Sequence, residues 1–407
     1  MAIDSVPTLL ALLRRVQILA PEQVEQIARE LAPHYPDPDA LAEYLVEIDW
    51  LTAFQKQALF DGQFKDLVIG PYIVLDQLGC GGVSEVFKAW ETLRGRVVAL
   101  KVLRQNLTSE EEALRQFQRE LETVPRLCHP NVIKTYDANR VGNMHYFAME
   151  FVEGVDLAKY VRDTGPLPVD QACDYIRQVA QGLQHAHQLG LVHRDIKPAN
   201  LFLINPPRLV LESKSPTGRV GEPIVKVLDW GLARMATASA VDSAAAADIE
   251  REKGALIGTA DYIAPEQAHD ATVVDIRGDI YSLGCTFYYL LTGKPPFAGT
   301  SLMQKLLQHR EAPVPKVRDL RPDVPDEVCE MIQKMMAKDP EDRYQIPLLV
   351  VAPLRKYCTG SSVASPRPPL VGANGGLNRP ASSSSLTRPA SALNLTRPAS
   401  SSNLPKS

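Results

Sequence analysis

The sequence predicts an α+β chain in three parts: a small all-α unit over 1–66, a mixed catalytic domain over 70–355, and a Ser/Pro/Ala-rich disordered tail over 356–407. Three observations carry this. Apolar residues recur at helical spacing through the first part. From Tyr72 the pattern changes to strand-like alternation interrupted by a glycine hairpin. From Tyr357 onward Ser, Pro, Ala, Gly and Asn dominate, and large apolar side chains nearly vanish. Such a segment cannot bury enough surface to offset its ordering entropy.

Composition narrows the function classes. A chain of 407 residues suits two or three units, one of which can be a catalytic domain of ~250 residues. The net charge of −4 leaves no footprint for nucleic acid or a membrane surface, and no nucleic-acid partner is expected. Cysteines 80, 128, 173, 285, 329 and 358 are scattered without Cys-x-x-Cys pairs. That pattern predicts reduced thiols in a cytoplasm rather than a disulfide scaffold or a zinc site. The opening Met1-Ala-Ile-Asp-Ser-Val-Pro, with Arg14 and Arg15 inside its apolar pattern, is not a signal peptide. The apolar run Pro347–Leu354 is too short to cross a bilayer, so a soluble, cytoplasmic protein with no transmembrane segment is expected.

In the first part, Leu9, Leu10, Leu12, Leu13 and Val16 mark one helix. Pro21 and Glu22 open a second, running through Val24, Ile27 and Leu31. Asp37-Pro38 reads as an N-cap with proline at the first helical position, heading Leu41, Tyr44, Leu45 and Ile48. Thr52 with Gln55 fits a capping box, and Gly62 sits where a glycine would end the fourth helix. Four short helices can bury one small core. The unit serves either as a cover for the next domain or as a module for a binding partner.

The stretch Tyr72–Leu78 alternates like a strand and meets Gly79-Cys80-Gly81-Gly82-Val83-Ser84-Glu85-Val86. Glycines there let backbone N–H groups approach phosphate oxygens with no Cβ in the way. A dinucleotide-binding fold would need a helix next. Two further strands follow instead, around an Arg-Gly turn, and the second carries Lys101. The Walker-type phosphate loop is also absent from the sequence. Downstream, Leu191-Val-His-Arg-Asp-Ile-Lys-Pro-Ala-Asn-Leu-Phe202 sets Asp195, Lys197 and Asn200 close together, and Val225–Gly231 ends a β-branched run with Asp229. A proton-accepting carboxylate, a nearby cation, and an amide plus a second carboxylate for hard cations are what phosphoryl transfer requires.

The order His-Arg-Asp-x-Lys-Pro-x-Asn, then Asp-x-Gly, resembles the catalytic and metal loops of eukaryotic-type protein kinases. Over about 70–355 the chain resembles bacterial eukaryotic-like serine/threonine kinases. The stretch Trp50–Gly62 followed by Leu67–Tyr72 is similar to the segment preceding the kinase domain in planctomycete-type members. The resemblance implies a bilobal fold, with a β-rich N-lobe and a helical C-lobe, that transfers the γ-phosphoryl of ATP with Mg²⁺ to protein Ser or Thr hydroxyls in signalling, with autophosphorylation. It implies Asp195 as base and Lys197 as charge neutraliser, with Asn200 and Asp229 on Mg²⁺. Lys101 would be paired with Glu120 to hold the α- and β-phosphates. ATP would be enclosed by Leu78 through Val86, with Ala99 and Phe202 against the ring. The backbone of Glu150 and Val152 would meet the adenine edge behind Met149, and Asp156 the ribose. Ser84 stands where the third loop glycine is usual, and Trp230 where phenylalanine is usual.

Gly258-Thr259-Ala-Asp-Tyr-Ile-Ala-Pro-Glu266 matches the end of an activation segment. The resemblance pairs Glu266 with Arg343 and has Asp279 accepting backbone N–H groups of the catalytic loop. Two positions that carry phosphothreonine in similar bacterial kinases are Arg251 and Lys253 here, flanked by Asp248, Glu250 and Glu252. A carboxylate is therefore expected to replace phosphate, with phosphorylation at Thr237, Ser239 or Ser243 as the alternative. The tail repeats Arg-Pro-Ala-Ser at 379–382, 388–391 and 397–400, as either a passive linker or a phosphoacceptor array. A pseudokinase scaffold and a small-molecule phosphotransferase are the competing readings of the whole. The sequence leaves the oligomeric state open.

Overall fold

The computed structural model describes residues 3–80, 84–103, 124–142, 144–205, 222–230, 260–269, 274–297, 299 and 301–358. The chain divides into two units, Met1–Ser361 and Ser362–Ser407, and every element below lies in the first.

Four helices open the chain: α1 Val6–Val16, α2 Pro21–Gln26, α3 Pro38–Glu47 and α4 Ala53–Phe60. The starts of α1, α3 and α4 are local caps. Ser5 accepts from the Thr8 N–H, Asp37 from the Ala40 N–H, and Thr52 and Gln55 complete a reciprocal box. Gly62 follows α4 with φ +75°, the left-handed turn that glycine takes without steric cost. The second helix departs from the expected regular pattern. Past Gln26 it widens into a π-turn over Ile27–Leu31, the Ala32 N–H reaching back to Ile27 O just ahead of Pro33, which has no N–H to donate. Leu9, Leu13, Ile27, Leu41, Leu45 and Leu59 form a sealed core for these helices.

A six-stranded antiparallel sheet follows in the order β1-β2-β3-β4-β6-β5. Its strands are β1 Val68–Ile69, β2 Tyr72–Cys80, β3 Ser84–Glu91, β4 Arg96–Leu103, β5 Thr135–Val141 and β6 Met144–Glu150. On β4, Val98, Leu100 and Val102 point into the sheet's own core, so the period-two alternation turns Ala99 and Lys101 to the opposite face. The chain then crosses to a three-stranded sheet of β7 Gly154–Asp156, β8 Leu201–Ile204 and β9 Ile224–Val227.

The second lobe is helical: α5 Leu157–Thr164, α6 Val169–Gln188, α7 Pro265–His269, α8 Ile276–Thr292, α9 Leu302–Glu311, α10 Asp326–Met335 and α11 Leu348–Leu354. Almost all of α8 is buried, including Ile280, Tyr281, Leu283, Phe287 and Leu290. At about 1.5–3 kcal/mol for each large apolar side chain, this helix is the main anchor of the lobe. Gly182 on α6 allows close approach of the loop at 127–133, since a Cβ there would lie 2.9 Å from the Asn131 carbonyl. Asn131 then donates to Gln178 on α6 and to the Val225 carbonyl on β9. These contacts bring the end of the first lobe onto the strand that leads to Asp229. No helix among the described residues is long and apolar enough to cross a membrane.

Candidate active site

The catalytic loop between α6 and β8 is held from below. Asp279, fully buried on α8, accepts the His193 N–H at 2.7 Å and the Arg194 N–H at 2.6 Å. Burial raises its carboxyl pKa, and His193 together with the two N–H groups opposes that rise. Arg194 takes φ +66°, unusual for a residue with a Cβ, and Asp279 is the partner that holds it there. The His193 ring bonds through Nδ1 to the Asp195 N–H at 3.2 Å and through Nε2 to Leu228 O at 2.6 Å. Trp230 meets the same ring edge-on at 4.8 Å. One imidazole thus ties the loop of Asp195 to the loop of Asp229.

Within the loop, Lys197 Nζ stands 2.8 Å from Asp195 Oδ2, and Asn200 donates to the same oxygen at 2.9 Å and to Asp195 O at 2.7 Å. Lys101 reaches across from β4 to Asp229 Oδ1 at 2.8 Å. Its backbone pairs Val86 on one side and Phe147 on the other, so the lysine stands at the centre of the sheet. Burial alone would raise the Asp229 carboxyl; the Lys101 ammonium outweighs it and holds the group below 3.8. Asp229 also adopts φ +61°, which turns its carboxylate out of the strand line. A strand lysine, two acids, an amide and a second lysine therefore gather where β4 meets the loops of Asp195 and Asp229.

The remaining expected residues fall around this centre. Gly79 and Cys80 end β2 opposite Val86 and Glu85, with Ser84 opening β3, while Leu78 is 46% exposed. Ala99 pairs with Met149, and Phe202 with Asp156, bringing the two lobes' strands to the cleft. Asp156 caps α5, its Oδ1 accepting the Lys159 N–H at 2.7 Å, which leaves one oxygen for a ligand. The Glu150 N–H is committed to Lys134 O, so of its backbone only the carbonyl is left for a ligand. Val152 lies in the connecting segment past β6. Gly81, Gly82, Val83, Glu120 and Thr259 lie outside the described residues, as do the acids and hydroxyls at 237–252 and the tail repeats. Glu266, on α7, meets Arg343 through two bonds of 2.7 and 2.8 Å.

Three contacts carried no signal in the sequence. The Glu150 side chain pairs with Lys226 on β9 at 2.6 Å, joining the hinge strand to the strand before Asp229. Lys305 on α9 forms a buried ion pair with Asp261, within the Gly258–Glu266 stretch. Gln267 on α7 donates to Arg194 O at 2.7 Å. Each joins residues far apart in the chain.

A hard divalent cation suits the donor set, since the Asn200 amide oxygen and the Asp229 carboxylate are both oxygen ligands. Among the described residues no cluster of three or more His, Cys, Asp or Glu offers an alternative metal site.

The model of the protein kinase domain matches residues 72–354, well over half of the chain. The chain belongs to the protein kinase family, in its bacterial eukaryotic-like serine/threonine branch. Serine/threonine-protein kinase PknB of Mycolicibacterium smegmatis is 38% identical over 295 residues, covering 71% of this chain and 43% of that protein. Serine/threonine-protein kinase PrkC of Bacillus subtilis is 33% identical over 278 residues, 68% of this chain and 39% of that one. The chain thus spans about two-fifths of the length of the curated relatives it matches. Among solved structures, the PknI kinase domain of Mycobacterium tuberculosis aligns with a TM-score of 0.54 and 26% identity, covering 72% of this chain and 98% of that chain. The family works with ATP and a divalent metal.

Proposed function

We propose that this chain is a serine/threonine protein kinase that transfers the γ-phosphoryl of MgATP to protein Ser or Thr hydroxyls in signalling, and that it phosphorylates itself. The observation that carries the reading is the 2.8 Å contact between Lys101 Nζ and Asp229 Oδ1, across a cleft that also holds Asp195, Lys197 and Asn200. Asp195 accepts the proton of the substrate hydroxyl, a contribution of roughly 10²–10⁴ in rate. Lys197, already against Asp195, neutralises charge on the transferring group. Lys101 would hold the α- and β-phosphates, and Asp229 together with Asn200 would hold the divalent cation, which would supply charge neutralisation for the phosphate oxygens. Backbone of the 79–86 hairpin covers the phosphates, with Val86, Ala99 and Phe202 against the base. Within this reading 1–66 is a helical module with its own partner, 70–355 the catalytic domain and 356–407 a tail.

The test is labelled-ATP transfer to a generic protein by wild type and Asp195→Asn, with the phosphorylated residues mapped by mass spectrometry. Transfer to Ser and Thr by wild type, reduced at least about a hundredfold in the variant, is the expected result. Equal incorporation by both proteins, or modification of small molecules alone, overturns it.

A further inference from the structure

Helix α4, with its cap Thr52, and strand β2 meet at one polar junction. On β2 the register against β3 jumps between Val74, opposite Ala89, and Asp76, opposite Lys88, which leaves Leu75 as an extra, bulged residue. A bulge bends its strand and frees carbonyls from the ladder. The far edge of β2 pairs only with the two-residue β1, at Tyr72 and Ile73, so Val74 and Leu75 need donors from elsewhere. Helix α4 supplies both. Thr52 Oγ1 donates to Leu75 O at 2.5 Å, and Gln55 Nε2 donates to Val74 O at 2.7 Å. Gln55 is a buried polar side chain, 3% exposed, on an otherwise apolar face.

The same two side chains are the capping box of α4. Thr52 Oγ1 also accepts the Gln55 N–H at 3.1 Å, and Gln55 Oε1 accepts the Thr52 N–H at 2.9 Å. Capping needs only acceptors, which Asp at 52 and Glu at 55 provide equally well. The donors toward Val74 and Leu75 are surplus to capping. An apolar contact and a backbone hydrogen bond reinforce the junction: Phe54 meets Phe87 on β3 with ring centroids 6.3 Å apart, and Leu67 O accepts the Val74 N–H at 2.9 Å. From this bulge β2 runs through a second register shift, between Gln77 and Gly79, to Gly79 and Cys80, while β3 returns through Val86 to pair with Lys101.

We propose that Thr52 and Gln55 are positioning residues for nucleotide binding: through the bulge carbonyls they set where β2 bends, and so how the ends of the β2–β3 hairpin, at Gly79, Cys80 and Val86, stand beside Lys101. The inference rests on the reading that ATP is held beneath that hairpin. Neither residue touches nucleotide; both act through the strand.

The test measures binding of ATP with magnesium to the full chain by calorimetry, and the KM for ATP and for a peptide acceptor, in Thr52→Asp, Gln55→Glu and Thr52→Ser. Thr52→Asp and Gln55→Glu retain the cap acceptors but remove the donors. Each is expected to weaken ATP binding about fivefold, the loss of one net hydrogen bond, with the KM for ATP rising in step and the KM for peptide unchanged. Thr52→Ser, which keeps both roles, should behave as wild type. Because Thr52 is less buried than Gln55, Thr52→Asp gives a folded variant even if the buried carboxylate at 55 is not tolerated. Unchanged ATP affinity in folded Thr52→Asp overturns the proposal, as does an equal rise in both KM values. If wild type itself binds no ATP, the reading of the cleft fails, and this inference with it.

Discussion

Replacing Glu266 by glutamine tests whether the buried arginine beneath the activation segment sets the stability of the helical lobe. The Arg343 side chain is fully buried, and all five of its N–H donors are used: two on Glu266, and three on the carbonyls of Ala337, Arg277 and Lys338. Its guanidinium also lies over the Tyr281 ring at 4.9 Å. Glutamine keeps the shape of Glu266 but loses the charge and one acceptor, so a buried cation is left uncompensated with a donor unmatched. Breaking such a pair costs about 3–5 kcal/mol. The Glu266 side chain is 22% exposed, which places the loss at the lower end, about 3 kcal/mol. At about 2–4 °C per kcal/mol for a unit of this size, the Tm should fall by about 6–12 °C. Urea unfolding followed by tryptophan fluorescence checks this, with a lower midpoint at unchanged slope. Glu266→Gln combined with Arg343→Met should cost about 2 kcal/mol less than the sum of the single changes. A single Glu266→Gln variant within about 1 kcal/mol of wild type would refute the reasoning, because it would mean that Arg343 is adequately neutralised without the carboxylate.

Other outcomes follow from the same geometry. Lys101→Met removes the cation that holds the Asp229 carboxyl below 3.8; the stability this pair supplies is present above the ordinary carboxyl range and lost as pH falls through it, so the acid limb of wild-type stability should flatten in the variant. His309 is packed among Tyr281, Phe297, Lys305 and Lys338, and burial lowers its pKa from 6.5 to about 4. It folds as the neutral ring, so about 3 kcal/mol of stability should disappear as pH falls from 6.5 to about 4, a loss that equilibrium unfolding of His309→Gln should not show. Glu150→Gln and Lys226→Met each break the tie between hinge and β9; a double-mutant cycle on the KM for ATP should give a coupling of about 1 kcal/mol, and strict additivity would mean that the pair is a bystander.

Much of this was legible in the residues because the signals are local. Asp37, Thr52 and Gln55 cap helices through bonds that span three residues, so sequence alone placed those starts. The break of α2 into a π-turn was not legible, because it reflects how Ile27 is held in the core while Pro33 withholds a donor. The Asp195–Lys197–Asn200 cluster was readable for the same reason as the caps, its members sharing one short loop.

Local chemistry in the sequence therefore determined the helix starts at Pro38 and Ala53, the strands through Tyr72 and Lys101, and the short loop of Asp195, Lys197 and Asn200, since each depends on neighbours along the chain. Only tertiary structure decided that Lys101 meets Asp229, that Glu150 meets Lys226, and that a helix-capping glutamine also holds the bulge of β2. The physical reason is that a side chain's second partner is chosen by which surfaces pack together, and that choice is made by the whole core at once.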